Sequence, residues 1–501
     1  MSEERKVVTE ETNELRHDIK NWQIAFIGIG GVIGSCYFLG MGGPISAMGP
    51  AVVIAFAIVG VIVYGTMLCY AELLVNVPRG GSFVAYTSEF VSPTISTGFG
   101  WAFWFNWVCY VPSEAIAVST VLTSLMGTDS AVTYLAIALG AMAAISVINL
   151  SAVDIFAKIE SGLAITKVIV IISFVIAAFG IWVGLWGQSD TYTGFLAGSV
   201  NFGDATMTFS DKLFPLGVLV CITNMTVVLV TFQGTEIVGL TAAESNDPTT
   251  AVPRACKSVV YRIALLYIVP IILVILVYPY NMATDSNPVF TDIMNAYGIE
   301  WLGYVFSAVV MVAAFSCANT GFYGTVRALF GLSIDGLAPK ALSKVSKSGN
   351  PRGAAVFTLV FMWCVLGIGL FSEMTGLLSG LYGYLLSLSG FTGAVAWLGI
   401  ILAWVFMRKK LKANGYGVDV LHARISKGQA WIPWFALIAQ VIALIMSVFE
   451  SVLIFAIAMC AIILPMIGFQ FAKKTGKLRD RDLLSRAQGE PFDELFPPKN
   501  K

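Results

Sequence analysis

Runs of apolar residues separated by short polar or basic stretches recur along the whole chain, each close to the roughly 20 residues a helix needs to cross a bilayer. Twelve such runs begin near Trp22, Ala51, Gly98, Ala131, Ala157, Phe214, Ser258, Trp301, Gly353, Gly376, Trp431 and Ser451. The pattern predicts an all-α integral membrane protein with twelve transmembrane helices. An even number of crossings puts both termini on one side.

Two of the runs are interrupted. The first, from Ala25 to Pro50, carries Gly28, Gly30, Gly31 and Gly34 in its first half, although each interior Gly costs about 0.8–1.0 kcal/mol against Ala. Either Gly30 and Gly34 form a small-residue face for a neighbouring helix, or the helix opens near Val32–Cys36 and frees backbone groups for a zwitterion. The sixth run is broken in the same manner by Gln233, Gly234, Thr235 and Glu236. These are corresponding positions of two five-helix halves, which points to a substrate site between inverted repeats. Close packing at Gly234 is the competing reading.

Composition supports the membrane setting: 57% of the residues are hydrophobic, 12% are charged and the mean hydropathy is +0.81, too little polar surface for a soluble enzyme of this length. Arg5, Lys6, Arg16, Lys20, Arg79, Lys158, Arg254, Lys257, Arg262, Lys340, Lys344, Lys347, Arg352, Arg408 to Lys412, Arg424 and Lys427 fall on one side of the predicted spans, as does the tail from Lys473. The opposite loops hold Asp129, Asp190, Asp204, Asp211, Asp285, Asp292, Glu300 and Glu373, with Lys212 the single base. The positive-inside rule therefore makes both termini cytoplasmic. The charged N-terminal stretch has no signal-peptide pattern, so the first span is expected to do the targeting.

Ionisable residues inside spans narrow the chemistry, because they are costly there and are functional candidates by default. Glu114 lies well inside the third span, and the competing reading is a protonated, hydrogen-bonded packing residue. Lys167 stands about 15 Å along the fifth helix from Ala157, too deep for comfortable snorkelling. Asn319, Thr320 and Tyr323 are polar near the middle of the eighth span, and Arg327 lies toward its basic end, where a carboxylate such as Glu236 or Glu72 is a candidate partner. The stretch NVPRGGSFVAYTSEF after the second span reads as a short interfacial helix, either a gate element or a plain connector. Eight cysteines without a CxxC pair predict neither a disulfide framework nor a metal site, and His17 and His422 read as solvated. No nucleophile–base motif or phosphate loop is visible, so an enzyme is not expected.

The segments GGVIGSCYFLG, PRGGSFVAY, GWAFWFNW with PSEAIA, ESGLAITKV, FQGTEIVGLTAAESNDP and ANTGFYGTVRALFGLSIDGLAPK together resemble the amino acid permeases of bacteria and fungi, within the amino acid–polyamine–organocation superfamily. The match runs from about His17 through the tenth span. The resemblance implies a LeuT-like five-plus-five inverted repeat with broken helices 1 and 6, plus two peripheral helices, and amino acid uptake by alternating access, commonly with a proton as the coupling ion. On that likeness Val32, Ile33, Gly34, Ser35 and Cys36 match the unwound part of the first helix, whose N–H groups meet the substrate carboxylate. Phe232, Gln233, Gly234, Thr235 and Glu236 match the break in the sixth, with Phe232 an aromatic cover, and Asn319 joins the binding set. Lys167 resembles a fixed cation standing where sodium-coupled relatives bind sodium, and Glu114 the proton carrier; Glu236 is grouped with these two as a coupling or gating residue. This chain departs from the family's usual GxIGTGLF: Cys36 replaces a glycine and Tyr37 an aliphatic residue.

The expected organisation is a cytoplasmic segment 1–21, a ten-helix transport core 22–407, a cytoplasmic loop 408–430, two additional helices 431–472 and a cytoplasmic tail 473–501. The expected activity is proton-coupled uptake of a zwitterionic amino acid across the plasma membrane, with an amino acid exchanger or a transporter-like nutrient sensor as alternatives. The partners are the amino acid and the lipid bilayer, with no nucleic acid and no cofactor; the oligomeric state is left open.

Overall fold

A computed structural model describes residues 32–79, 83–150, 153–186, 208–237, 254, 256, 258, 261, 263–346, 351–376, 380–476 and 491–499, with 153–161 as backbone only. Gly28, Gly30 and Gly31, the side chain of Lys158, and residues 238–253 lie outside the described side chains. The described residues form helices and turns without strands. Among them, nine helices are long and apolar enough to cross a membrane. The helices Val52–Asn76, Pro93–Met126, Ala131–Asn149, Val153–Trp182, Glu300–Ile334, Arg352–Met374, Leu381–Ala413, Ile432–Met446 and Val452–Lys474 follow the predicted spans two to five and eight to twelve. The first span is described from Val32, with residues 32–34 non-helical before the turn Ser35–Phe38; the sixth is a pair of short helices, Val218–Thr223 and Met225–Val230, running into turns.

The third, eighth and tenth helices form the centre. They are 34, 35 and 33 residues long, or roughly 50 Å at 1.5 Å per residue, longer than a hydrocarbon core of about 30 Å. The third begins sharply: Ser92 caps it by accepting from the Thr94 N–H, Pro93 needs no donor at the first position, and Gly127 ends it in the left-handed region at φ 61°. The third and eighth helices come together at Gly321, where a Cβ would lie 2.0 Å from the Trp107 ring. The tenth meets the sixth at Gly390, where a Cβ would stand 2.3 Å from the Thr226 carbonyl oxygen. Without a hydrophobic drive between helices in lipid, such close backbone approach supplies the packing. The fourth and twelfth helices are peripheral: 17% and 11% of their most apolar stretches are buried, against 78% for the tenth.

At the basic end the second and tenth helices are clamped together by one carboxylate. Glu72, 1% exposed, accepts from Arg408 Nε and Nη2 at 2.7 Å each, from Trp404 Nε1 at 2.9 Å and from the Ile425 N–H at 2.8 Å. Arg327 is not its partner; the Arg327 guanidinium stacks 3.4 Å over the Tyr323 ring. The stretch after the second span forms a helical turn, Phe83–Tyr86, and a π-helical turn, Thr87–Val91. Its aromatic side chains Phe83, Tyr86 and Phe90 are at most 8% exposed, and it packs on the tenth and third helices.

Removing Glu72 strands the Arg408 guanidinium. Glu72→Ala is expected to destabilise the protein by about 3 kcal/mol, the low end for a broken buried pair because Arg408 keeps 21% exposure. Denaturant unfolding in detergent, with Glu72→Gln as the milder comparison, measures it.

Candidate functional site

The opening in the first helix is built around Gly34. Val32 and Ile33 are buried and non-helical, and Gly34 is extended at φ −113°, ψ −167° before the helical turn Ser35–Phe38. The first donor beyond the break, the Ser35 N–H, points at Glu114 of the third helix and reaches both carboxylate oxygens at 3.1 Å. Gly34 is glycine because there is no room: a Cβ would lie 2.3 Å from Glu114 Oε1, 2.6 Å from the Tyr110 hydroxyl and 2.9 Å from Cys317 Cβ. Glu114 and Lys167 are both fully buried. Lys167 acts electrostatically on Glu114 and on Cys317. The family resemblance implies that N–H groups here meet a substrate carboxylate; in the structure a protein carboxylate holds the Ser35 N–H.

The two residues that depart from the family pattern are absorbed into this wall. The Tyr110 hydroxyl donates to Cys36 Sγ at 2.8 Å, and Cys317 Sγ lies 3.7 Å from the same oxygen. Tyr37 enters an aromatic cluster, its ring centroid 4.6 Å from that of Tyr267 and 5.6 Å from that of Phe290. Phe232, fully buried, stacks on the same Tyr267 at 4.5 Å. Tyr267 therefore joins the first break to the sixth.

The sixth helix opens at Gly234, whose φ of +99° only glycine adopts without strain. Its N–H reaches both oxygens of Glu236 at 3.1 Å, and Trp397 Nε1 of the tenth helix donates to Glu236 at 2.9 Å. Gln233 is committed to the scaffold: its Nε2 donates to the Ser389 and Gly390 carbonyls at 3.0 and 3.1 Å, and its Oε1 lies 3.2 Å from Ser389 Oγ, which also bonds Asn106. Thr235 donates back to the Phe232 carbonyl at 3.0 Å. Asn319 is turned elsewhere on the eighth helix, accepting from Asn149 Nδ2 of the fourth at 2.6 Å. Among the described residues, its own Nδ2 is buried without a hydrogen-bond partner.

The structure thus brings Gly34, Ser35, Cys36, Glu114 and Lys167 into one cluster and Gln233, Gly234 and Glu236 into a second, with Phe232 and Tyr37 between them. Tyr110, Ser389, Asn106, Tyr382 and Trp397 are participants that sequence reasoning missed. Tyr110 alone carried a signal, standing four residues before Glu114 on the same helix face. On the acidic side Asp129, Asp285, Glu373 and Tyr382 are among the residues that line a cavity of about 590 Å³, and one of them also touches the turn after Gly34. Tyr382 is the link, its hydroxyl 2.8 Å from Ser35 Oγ. In the loop above, burial pushes the Asp285 carboxyl upward, and the Gly43 N–H, donating at 2.7 Å, opposes that shift.

No group of three or more His, Cys, Asp or Glu side chains that could hold a metal occurs among the described residues. The arrangement pairs the backbone N–H groups of Ser35, beside Gly34, and of Gly234 each with a buried carboxylate, and adds the buried base Lys167.

The amino acid permease family model matches residues 23–481. The amino-acid permease RocC of Bacillus subtilis (strain 168) is 32% identical over 420 residues, covering 82% of this chain and 85% of that protein. The lysine-specific permease LysP of Escherichia coli (strain K12) is 28% identical over 452 residues, covering 88% of each chain. The histidine permease HisP of Lactococcus lactis subsp. cremoris (strain MG1363) is 29% identical over 440 residues, 86% of this chain and 87% of that protein. With both helix breaks where a multi-pass, LeuT-like carrier has them, this chain belongs to the amino acid permease family and is a membrane transporter of amino acids.

Proposed function

We propose that the protein takes up a zwitterionic amino acid across the plasma membrane by proton symport and alternating access, with both termini in the cytoplasm. The observation that carries this reading is the Glu114 carboxylate on the Ser35 N–H beside Gly34. An ionised carboxylate is a strong acceptor and a protonated one a weaker acceptor. Protonation of Glu114 therefore loosens its hold on Ser35 and leaves that donor to the carboxylate of the incoming amino acid. Lys167, acting on Glu114 from the fifth helix, supplies a fixed positive charge that no sodium ion need provide. The α-amino and α-carboxyl groups are common to the lysine and histidine named for the relatives. Recognition at the breaks thus concerns the shared head group, while pocket shape selects the side chain.

The test is uptake of a panel of radiolabelled amino acids into proteoliposomes, with and without an inward proton gradient and without sodium. Accumulation that follows the gradient is the expected result. Flux only after preloading with internal amino acid would make the protein an exchanger, and binding without flux a sensor.

Three substitutions locate the coupling. Glu114→Gln is expected to abolish gradient-driven accumulation while retaining exchange of labelled for unlabelled amino acid; accumulation at the wild-type level would refute the assignment. Lys167→Ala is expected to reduce uptake on the order of ten-fold or more by leaving the buried acid without its nearby cation, and wild-type uptake would remove the fixed-cation argument. Gly34→Ala forces Glu114 and Tyr110 aside and is expected to reduce uptake by a similar order, with thermal unfolding confirming that the variant is folded.

A further inference from the structure

The third helix carries Asn106, Tyr110 and Glu114 at intervals of four residues, a spacing that puts them on one face, about 6 Å apart along the axis. Glu114 and Tyr110 close on Gly34, where a Cβ would lie 2.3 and 2.6 Å from their oxygens. Asn106 continues that face toward the sixth helix. Ser389 Oγ of the tenth helix donates to Asn106 Oδ1 and also lies 3.2 Å from Oε1 of Gln233, the residue before Gly234. Gln233 is itself fixed, because its Nε2 donates to the Ser389 and Gly390 carbonyls at 3.0 and 3.1 Å. Asn106 therefore stands where the third, sixth and tenth helices meet, on the face that links Gly34 to Gly234.

All three side chains are buried, Asn106 and Ser389 completely, yet the set is incomplete. Among the described residues, Asn106 Nδ2 has no hydrogen-bond partner. About nine in ten buried polar groups do have one, and an unmade bond carries the full desolvation penalty of the donor. Ser389 holds the oxygen end of the amide, so the nitrogen end is the one presented to a ligand. The set is also neutral: among the described residues no ionisable side chain hydrogen-bonds to Asn106, Ser389 or Gln233. A charged group brought here would be buried without a counterion, and an apolar one would leave the Asn106 donor unpaired. A hydroxyl or carboxamide oxygen accepts from it without bringing in a charge.

We propose that Asn106 is a specificity-determining residue and that the preferred substrates are neutral amino acids whose side chain ends in a hydroxyl or a carboxamide, its oxygen accepting from Asn106 Nδ2. The proposal rests on the amino acid uptake reading above and narrows it to a substrate class. Ser389 is a positioning residue, acting through Asn106. A site that hydrogen-bonds a polar group rejects the analogue lacking it, since its own donor is then stranded.

The experiment measures KM and maximal rate in proteoliposomes for two pairs of nearly isosteric radiolabelled amino acids, threonine against valine and asparagine against leucine, with lysine and glutamate as charged comparisons. In the wild type the polar member of at least one pair is expected to have a KM lower on the order of ten-fold or more, and lower than that of either charged amino acid. Asn106→Leu is expected to bring that ratio close to one by raising KM for the polar member alone, with thermal unfolding monitoring the fold. Ser389→Ala, which keeps Asn106 but frees its amide, reads the same ratio and is expected to reduce it. A wild type that prefers the apolar member of both pairs or a charged side chain overturns the proposal. So does a ratio unchanged in both variants, or a loss equal for both members of a pair, which would make Asn106 a packing residue. A wild-type protein that moves no amino acid would overturn the transport reading, and this proposal with it.

Discussion

A helix can be opened inside hydrocarbon only if the backbone groups it frees find partners, and both openings here are closed in the same way. The Ser35 N–H beyond Gly34 and the N–H of Gly234 each lie 3.1 Å from both oxygens of a buried carboxylate, Glu114 and Glu236 respectively. The remaining scaffold fits around these two contacts. The third helix carries Glu114 through the centre of the bundle and meets the eighth at Gly321, while the tenth, brought close to the sixth at Gly390, takes Trp397 to Glu236 and Ser389 to Gln233.

The two carboxylates differ in what they leave to chemistry. Glu236 is held within its own turn and by an indole donor, an arrangement that fixes the shape of the break. Glu114 reaches across from another helix, shares its surroundings with Lys167, Tyr110 and Cys317, and grips the donor best suited to a ligand carboxylate. On the proposed reading, this protein carboxylate stands in for a ligand carboxylate, and the state of one decides the access of the other. Tyr382 ties the acidic cavity to this site, lining the one and hydrogen-bonding Ser35 in the other.

The spans and the two interruptions were legible because they are local: apolar length marks a crossing, and a Gly beside polar residues marks an opening. Gly34 and Gly234 are where that reasoning placed them, one for want of space and the other for its positive φ. The partners were not legible. Ser35 and Glu114 are 79 residues apart and Glu72 and Arg408 are 336 apart, and which acid meets which base depends on helix rotation that periodicity in an almost uniformly apolar helix does not encode. Arg327 illustrates this, stacking on Tyr323 while Glu72 takes Arg408. Asn319 is a related case: it is polar and near mid-depth as read, yet its carbonyl pairs with Asn149. The tail was read as a polar, cytoplasmic extension from its charges, and that reading carried no sign that two phenylalanines seat residues 491–499 on the protein.

The central claim is that Glu114 and the substrate carboxylate exchange places on the Ser35 N–H. Calorimetric titration of the purified protein with its amino acid, repeated in buffers of different ionisation enthalpy, measures the protons taken up on binding. The account predicts uptake of about one proton per amino acid bound in the wild type and none in Glu114→Gln. Binding with no proton linkage, or linkage that persists unchanged in Glu114→Gln, would contradict it.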